Sequence, residues 1–373
     1  MSEFSATDFD SPIPGVLRQQ VLSLGTAEQS LTVHVGFSGG RDSTVLLQAL
    51  VALRDEFPRL NLSAIHINHQ LHDAAAAWSA HCEAQAELLG VPLQIAAVSV
   101  DHASGRGPEA AARDARYAVF RELLCAGGWL ALAHHQEDQA ETLFLQLMRG
   151  TGAAGLAGMP VQRDFSGGHL WRPLLEVSKP DIAAYADHYG LQWIEDPSNA
   201  DTGFDRNFLR NEILPRTRER WPGADAAVGR AARHSAAAAH LLDELAQLDA
   251  ERFVEGDRLA TRIFTELGSE RQKNVLRFFI KNNGLSIPSE KKLNDVIRVF
   301  NSGRADAAPV VDWGAARLRR YREHIIISAD DTAAAGGDLI QFDWLAQEPL
   351  VLGKGLGRLI AEPCTGQGLR EPL

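Results

Sequence analysis

Val33-His34-Val35-Gly36-Phe37-Ser38-Gly39-Gly40-Arg41-Asp42-Ser43-Thr44-Val45-Leu46-Leu47 opens as a short apolar run, crosses two adjacent glycines, and ends in a helical pattern. Val45, Leu46, Leu50, Leu53 and Phe57 carry that pattern. The expected local structure is strand, tight turn, helix. Gly39 and Gly40 let the backbone take shapes closed to other residues and leave room for a ligand. Successive amide N–H groups at a helix start make an anion pocket, strengthened by the helix dipole. Ser38 and Ser43 add hydroxyl donors. Asp42 is the odd member, because a carboxylate repels a phosphate beside it. It makes sense with a divalent cation between the two, since Mg²⁺ is commonly held by one or two carboxylates plus substrate phosphates. The competing reading is a turn that merely needs glycine. No Gly-Lys-Ser/Thr follows, so this is not a Walker loop.

Along the chain, strand and helix alternate four times. Strands are expected at about 32–37, Leu62–Asn68, Pro92–Val100 and Trp129–Ala133. Helices follow them, ending near Phe57 and spanning about Asp73–Leu89, Pro108–Ala126 and Gln136–Arg149. A leader helix within residues 1–30 uses Val16, Leu17, Val21 and Leu24 as its apolar face. This alternation implies an α/β domain with a parallel sheet covered on both faces, and ligands bind beyond the carboxyl ends of such strands. After the glycine-dense loop 150–158 come a strand-like piece, Leu170–Pro173, and a helix, about Ser178–Tyr189. Trp221-Pro222-Gly223 marks a boundary. The domain reading is 1–222 catalytic, 223–252 a linker helix, 253–330 a mainly helical second domain, and 331–373 a β-like tail.

The chain has 373 residues, 45% of them hydrophobic, enough for two or three packed domains. No apolar run approaches the roughly 20 residues of a membrane span, so no membrane partner is expected. Three widely spaced cysteines, without CxxC, suggest free thiols in the cytoplasm and give no zinc or iron–sulfur pattern. Cys82 and Cys125 are expected mid-helix, in the core. The formal charge of −11 argues against a generally basic nucleic-acid coat, though not against a local patch.

A second cluster, Ala133-His134-His135-Gln136-Glu137-Asp138-Gln139-Ala140-Glu141-Thr142, sits where the fourth strand hands over to its helix. Asp138 and Glu141 are three apart and share one helix face, which suits a substrate ammonium or a metal. His134 and His135 suit phosphate contact or proton transfer. Capping by first-turn acids is the plainer alternative for the carboxylates. Arg113 and Arg116 also share a face and can neutralise a triphosphate or a nucleic-acid phosphate. Residues 206–220 hold five arginines, Arg206, Arg210, Arg216, Arg218 and Arg220, against two glutamates, a candidate phosphate-contacting surface. Arg317, Arg319, Arg320 and Arg322 form another. His69, at the end of the second strand, can meet an adenine or ribose edge, as can a merely satisfied histidine.

SGGRDS (38–43) resembles the pyrophosphate loop, SGGxDS, of the N-type ATP pyrophosphatases, also called the PP-loop superfamily, whose fold is adenine nucleotide alpha hydrolase-like. With IHINHQL (65–71), EAAARDARY (109–117), the run 133–159, RPLL (172–175) and WIEDPSNADTGFDRNFLRNEILP (193–215), the chain resembles the tRNA(Ile)-lysidine synthase family. The resemblance implies a ligase that binds ATP and adenylates O2 of the wobble cytidine in tRNA(Ile) with a CAU anticodon, pyrophosphate leaving. The ε-amine of free L-lysine then attacks C2, expels AMP and gives lysidine. On that basis Ser38, Gly39, Gly40, Arg41, Asp42 and Ser43, with His69, His134 and His135, are the nucleotide-binding candidates. Asp42 would hold Mg²⁺, and Asp42, Arg113, Asp138, Glu141 and Arg206 are the catalytic candidates. The family's usual Asp-Asp is Glu137-Asp138 here. Its longer members carry a final small basic domain, expected to be absent from this chain. The oligomeric state is open, a homodimer included.

Three rival readings share parts of this pattern. A tRNA 2-thiolation enzyme has the same loop but uses paired cysteines. A small-molecule amide ligase of the superfamily needs no tRNA surface. A non-catalytic adenine-nucleotide sensor has no use for Asp138 and Glu141.

Overall fold

The computed structural model describes residues 10–25, 30–68, 74–98, 108–197, 201–302, 309–314, 316–329, 350–351 and 358–359. The chain divides into two compact units, 1–242 and 243–373. The division falls inside one long helix, Ala224–Phe253.

The first unit is built on a six-stranded sheet. Its strands are β1 (Leu31–Gly36), β2 (Leu60–Asn68), β3 (Leu93–Ala97), β4 (Trp129–Ala131), β5 (Gln162–Phe165) and β6 (Gly168–Trp171). They lie in the order β3-β2-β1-β4-β6-β5. All neighbours run parallel except β5, which pairs antiparallel with β6. The helices are α1 (Pro12–Ser23), α2 (Arg41–Ala52), α3 (Ala75–Leu88), α4 (Pro108–Leu123), α5 (Gln136–Met148), α6 (Ala153–Leu156) and α7 (Lys179–His188). Chain order places β2 and β3 on one side of β1 and β4 on the other, so the topology reverses between β1 and β4. Ligands of open α/β sheets bind at that reversal, beyond the carboxyl ends of the strands.

Two apolar cores clamp the sheet. Ile13, Leu17 and Val21 of α1, Val45, Leu46, Leu47 and Leu50 of α2, and Ile182 and Tyr185 of α7 pack with Val33 and Val35 on one face. Tyr117, Phe120 and Leu124 pack with Ile65, Leu130 and Leu170 on the other. Ser11 caps α1 from its side chain and Ser178 caps α7, each with a proline in the helix's first turn.

Several boundaries differ from expectation for local reasons. α2 stops at Ala52, not Phe57, because the amides of Leu53 and Arg54 turn back three residues, to Leu50 and Val51. α4 stops at Leu123, and Gly127, at φ +72°, turns the chain toward β4. Cys125 is therefore exposed and outside the helix, whereas Cys82 is buried in α3 as expected.

Beyond α7 the chain makes α8 (Asp205–Phe208), a π-helical turn (Leu209–Ile213), α9 (Leu214–Arg220) and the 30-residue α10 (Ala224–Phe253). The second unit combines α11 (Ile263–Glu266), α12 (Ser269–Asn282) and α13 (Glu290–Ser302) with a five-stranded sheet. Its strands β7 (Val254–Glu255), β8 (Arg258–Ala260), β9 (Val310–Trp313), β10 (Ala316–Tyr321) and β11 (His324–Ala329) run antiparallel in the order β7-β8-β11-β10-β9. Val275, Leu276, Phe279 and Ile280 of α12 meet Leu293, Val296 and Phe300 of α13 and Leu318, Ile325 and Ile327 of the sheet. This unit is a helical region with a small antiparallel sheet. A two-residue pair, β12 (Leu350–Val351) with β13 (Arg358–Leu359), lies in the tail. No helix among the described residues is long and apolar enough to cross a membrane.

Candidate active site

The loop after β1 and the loop after β4 meet at the topological reversal. In the first, Gly39 sits at φ +79°, and an added Cβ would lie 2.8 Å from Cys82 Sγ and 3.0 Å from Ile194 Cδ1. Both the conformation and the space require glycine there. The Gly39 carbonyl accepts from Ile194 N–H at 2.8 Å. Ser38 Oγ accepts from Gly40 N–H (3.3 Å) and lies 3.0 Å from Ser43 Oγ, while Ser43 and Thr44 hydroxyls donate to Gly40 O. The Phe37 carbonyl meets His66 Nδ1 at 2.9 Å, so His66 is a buried support for the loop. No side chain caps the N-terminus of α2. Its first amides are left pointing at the reversal, the condition for anion binding.

Asp42 and Arg41 face each other there. Asp42 Oδ1 lies 3.7 Å from Arg41 Nε; both atoms are buried, and neither makes a hydrogen bond. Arg41 also stands 6.0 Å over the Trp193 ring. The other Asp42 oxygen, Oδ2, is 3.5 Å from His135 Nε2, a contact that joins the two loops.

The loop after β4 carries the densest buried charge of the described residues. His135, Glu137, Asp138, Gln139 and Glu141 are all buried at the start of α5. His135 is the N-cap, and its amide donates to Asp138 Oδ2 at 3.0 Å. Its Nδ1 meets Glu137 Oε2 at 3.0 Å. Burial opposes a charge on His135, but Asp138, Asp42 and Glu137 outweigh it and push the imidazole up to about 10. Burial also works against the Asp138 carboxylate, and the neighbouring His135 charge reverses that and holds it well below the usual range. His134 is the opposite case: burial pulls it down to about 3, so it is neutral, and its Nδ1 has no hydrogen-bond partner.

Asp138 and Glu141 do share one face, as their spacing requires, but that face is occupied. Arg206 Nε donates to Glu141 Oε2 at 2.7 Å, and Arg210 Nε to Glu141 Oε1 at 2.6 Å. Arg210 Nη2 reaches Asp138 Oδ1 at 3.1 Å and Arg206 Nη2 reaches it at 3.4 Å. The sequence contained this signal in complementary form, two arginines at i, i+4 opposite two acids at i, i+3, though nothing in it linked residues so far apart. Arg218 pairs with Asp225 at 2.6 Å, and Arg216 is 3.8 Å from Glu212. Much of the expected basic surface over 206–220 is therefore neutralised internally. Arg317 likewise pairs with Asp312 at 2.9 Å.

Arg113 lies 5.1 Å over the Tyr117 ring on α4, and Arg172, after β6, is buried with Nη1 donating to Pro160 O at 2.8 Å. In the glycine-dense loop an added Cβ on Gly158 would lie 2.6 Å from Gln139 Oε1. Gln139 bonds both the amide and the carbonyl of Met159, so this segment is strapped to α5 rather than free. His69, Ser198 and Asn199 lie outside the described residues. Neither Cys82 nor Cys125 is disulfide-bonded, and no group of three or more His, Cys, Asp or Glu converges as a metal cage among the described residues. Mg²⁺ needs no such cage, because substrate phosphates supply ligands, and the unpartnered Asp42 Oδ1 fits it.

The family described as a PP-loop domain matches residues 16–217. The family described as the TilS substrate binding domain matches residues 259–326. A tRNA(Ile)-lysidine synthase of Alkalilimnicola ehrlichii is 42% identical over 350 residues, covering 93% of this chain and 77% of that relative. The chain belongs to the tRNA(Ile)-lysidine synthase family. A second member, from Coxiella burnetii, is 39% identical over 91% of this chain and 75% of its own length. Among solved structures, the U34-tRNA thiolase NcsA of Methanococcus maripaludis, with its [4Fe-4S] cluster, superposes with a TM-score of 0.51 at 18% identity, covering 60% of this chain and 78% of its own. That likeness concerns the fold alone, and the thiolation reading is not favoured.

Proposed function

We propose that this ligase modifies the wobble cytidine of tRNA(Ile) with a CAU anticodon, using ATP and free L-lysine, in the cytoplasm. The observation that supports it best is the meeting of the uncapped α2 N-terminus with the half-buried Asp42–His135 contact at the sheet's topological reversal. The amides of that helix start, with Ser38 and Ser43, grip the terminal two phosphates of ATP. Arg41 and His135 add positive charge beside them. Asp42 Oδ1 would hold Mg²⁺, which shields the phosphate charge when bound.

Cytidine O2 attacks the α-phosphorus, the bond to the bridging oxygen breaks, and pyrophosphate departs into the loop. The lysine ε-amine, having lost its proton, then attacks C2, and the C2–O bond breaks to release AMP. Both nucleophiles belong to substrates, so the protein supplies placement and charge. Asp138 and Glu141 remain the proposed contacts of the lysine ammonium. Arg206 and Arg210 share those carboxylates, which have lone pairs enough for more than one donor. Arg113 is proposed to face the nucleotide or anticodon phosphates.

Incubation with ATP, radiolabelled lysine and a tRNA(Ile) transcript tests the reading. Label enters the tRNA with equal release of AMP and pyrophosphate. Absence of label, or label that depends on a sulfur donor, overturns it.

A further inference from the structure

Glu137 is unusual for an acid in the first turn of a helix. Such residues complement the helix dipole from solvent, yet Glu137 is buried, with 7% of its surface exposed. A buried carboxylate is costly unless its oxygens are bonded. Here Oε2 lies 3.0 Å from His135 Nδ1, and the Lys179 amide donates to both Oε1 and Oε2 at 3.0 Å. Lys179 opens α7, so its N–H is one of the donors a helix start leaves without an internal partner. A second tie runs beside the first: Gln136 N–H donates to Val177 O at 3.0 Å. Glu137 is thus bolted to a separate element of the unit and presents one oxygen to the histidine ring. The far side of that ring, Nε2, is 3.5 Å from Asp42 Oδ2 and 3.5 Å from Asp138 Oδ2. The chain of contacts runs from the α7 amide through Glu137 and His135 to the first turn of α2.

We infer that Glu137 is a positioning residue of the reaction: anchored on the α7 N-terminus, it fixes the His135 ring so that Nε2 faces Asp42 across the pyrophosphate loop. The assignment rests on the functional reading above. A bond to the remote nitrogen sets ring orientation, as partners of metal-bound histidines do. The ring cannot swing away from Asp42 while Nδ1 is held, so the loop is pre-arranged before nucleotide enters.

The test measures tRNA-dependent ATP–pyrophosphate exchange in Glu137→Ala and Glu137→Asp, with the His135 imidazole followed by long-range ¹H–¹⁵N spectra. In the alanine variant turnover falls at least about ten-fold with the ATP KM within about two-fold, and the slowly exchanging Nδ1–H signal is lost. Aspartate, still a carboxylate, restores turnover to within about three-fold and keeps the signal. Turnover of the alanine variant within about two-fold of the parent, a loss confined to KM, a persisting Nδ1–H signal, or an aspartate variant as impaired as alanine overturns the assignment. Should the alanine variant not fold, Glu137→Gln, equal in size, replaces it. Its amide carries no charge and puts an NH2 donor where Glu137 has a second acceptor oxygen facing the Lys179 amide, so turnover falls at least about three-fold at unchanged KM, and unchanged turnover overturns the assignment. Absence of exchange in the parent protein overturns the functional reading instead, and the imidazole spectrum still decides the role of Glu137.

Discussion

The two units bury different things. Of the twelve buried polar or charged residues among those described, ten lie in the first unit, and five of these, His135, Glu137, Asp138, Gln139 and Glu141, lie within seven consecutive positions. Among its described residues the second unit buries only Asp249 and Gln272 of this kind, around a core that is otherwise Leu, Ile, Val and Phe. Most of its ion pairs sit toward solvent, such as Arg277 with Glu290 and Arg298 with Asp295. Burying charge costs several kcal/mol per ion unless every lone pair finds a partner. A fold gives up that stability where a reaction needs fixed charge in a dry place, and the second unit carries no comparable cluster among its described residues. The difference separates a unit built around chemistry from one built around packing.

The sharpest way to break this contrast is to remove matched carboxylates. Glu141→Ala takes the nearer partner from Arg206 and Arg210, both less than one-third exposed, leaves them only Asp138, and is expected to destabilise the first unit by about 3 kcal/mol in a denaturant melt. Asp249→Ala strands only Arg271, whose side chain is 47% exposed, and should cost clearly less in the same melt. Equal losses would mean that the two units use charge alike.

Glycines give a second comparison. Gly39→Ala forces an alanine into φ +79° against Cys82 and Ile194, and pyrophosphate release should fall at least about ten-fold. Gly284→Ala meets the same backbone demand, φ +72°, with nothing within 4 Å. It should cost about 1 kcal/mol of stability while pyrophosphate release is unchanged. A Gly39→Ala protein of full activity would remove the loop from the site.

Acidification gives a third comparison. Burial holds His34, His66 and His134 below their ordinary value of 6.5, so the unfolded chain takes up protons first as the medium acidifies. Stability conferred by keeping them neutral is present above pH 6.5 and is lost progressively below it, by up to about 1.4 kcal/mol per pH unit for each ring held fully neutral. Calorimetry should show the first unit's transition falling between about pH 7 and pH 5 while the second unit's moves less. A transition that rises on acidification contradicts the burial argument.

Much of this site is legible in the order of its residues alone. The glycine loop, Asp42 and the His-His-Gln-Glu-Asp run are local: their spacing along one turn fixes which side chains meet. What the sequence hides is non-local or too short to leave a period. β5 has three exposed residues in four and no alternation, and β7 and β8 are two and three residues long, so no apolar rhythm marks them. Arg210 reads as a phosphate contact because its partners lie about seventy residues earlier in the chain. Glu137 reads as a departure from a family pattern, and its bond to a backbone amide at residue 179 has no sequence signature at all.

The central claim is that the loop after β1 and its Asp42 hold the leaving pyrophosphate. Asp42→Asn keeps size and fold while removing the charge, and release of labelled pyrophosphate from ATP in the presence of tRNA(Ile) transcript reads the result directly. Release is expected to fall to background in a protein whose melting curve matches the parent; undiminished release would contradict the account.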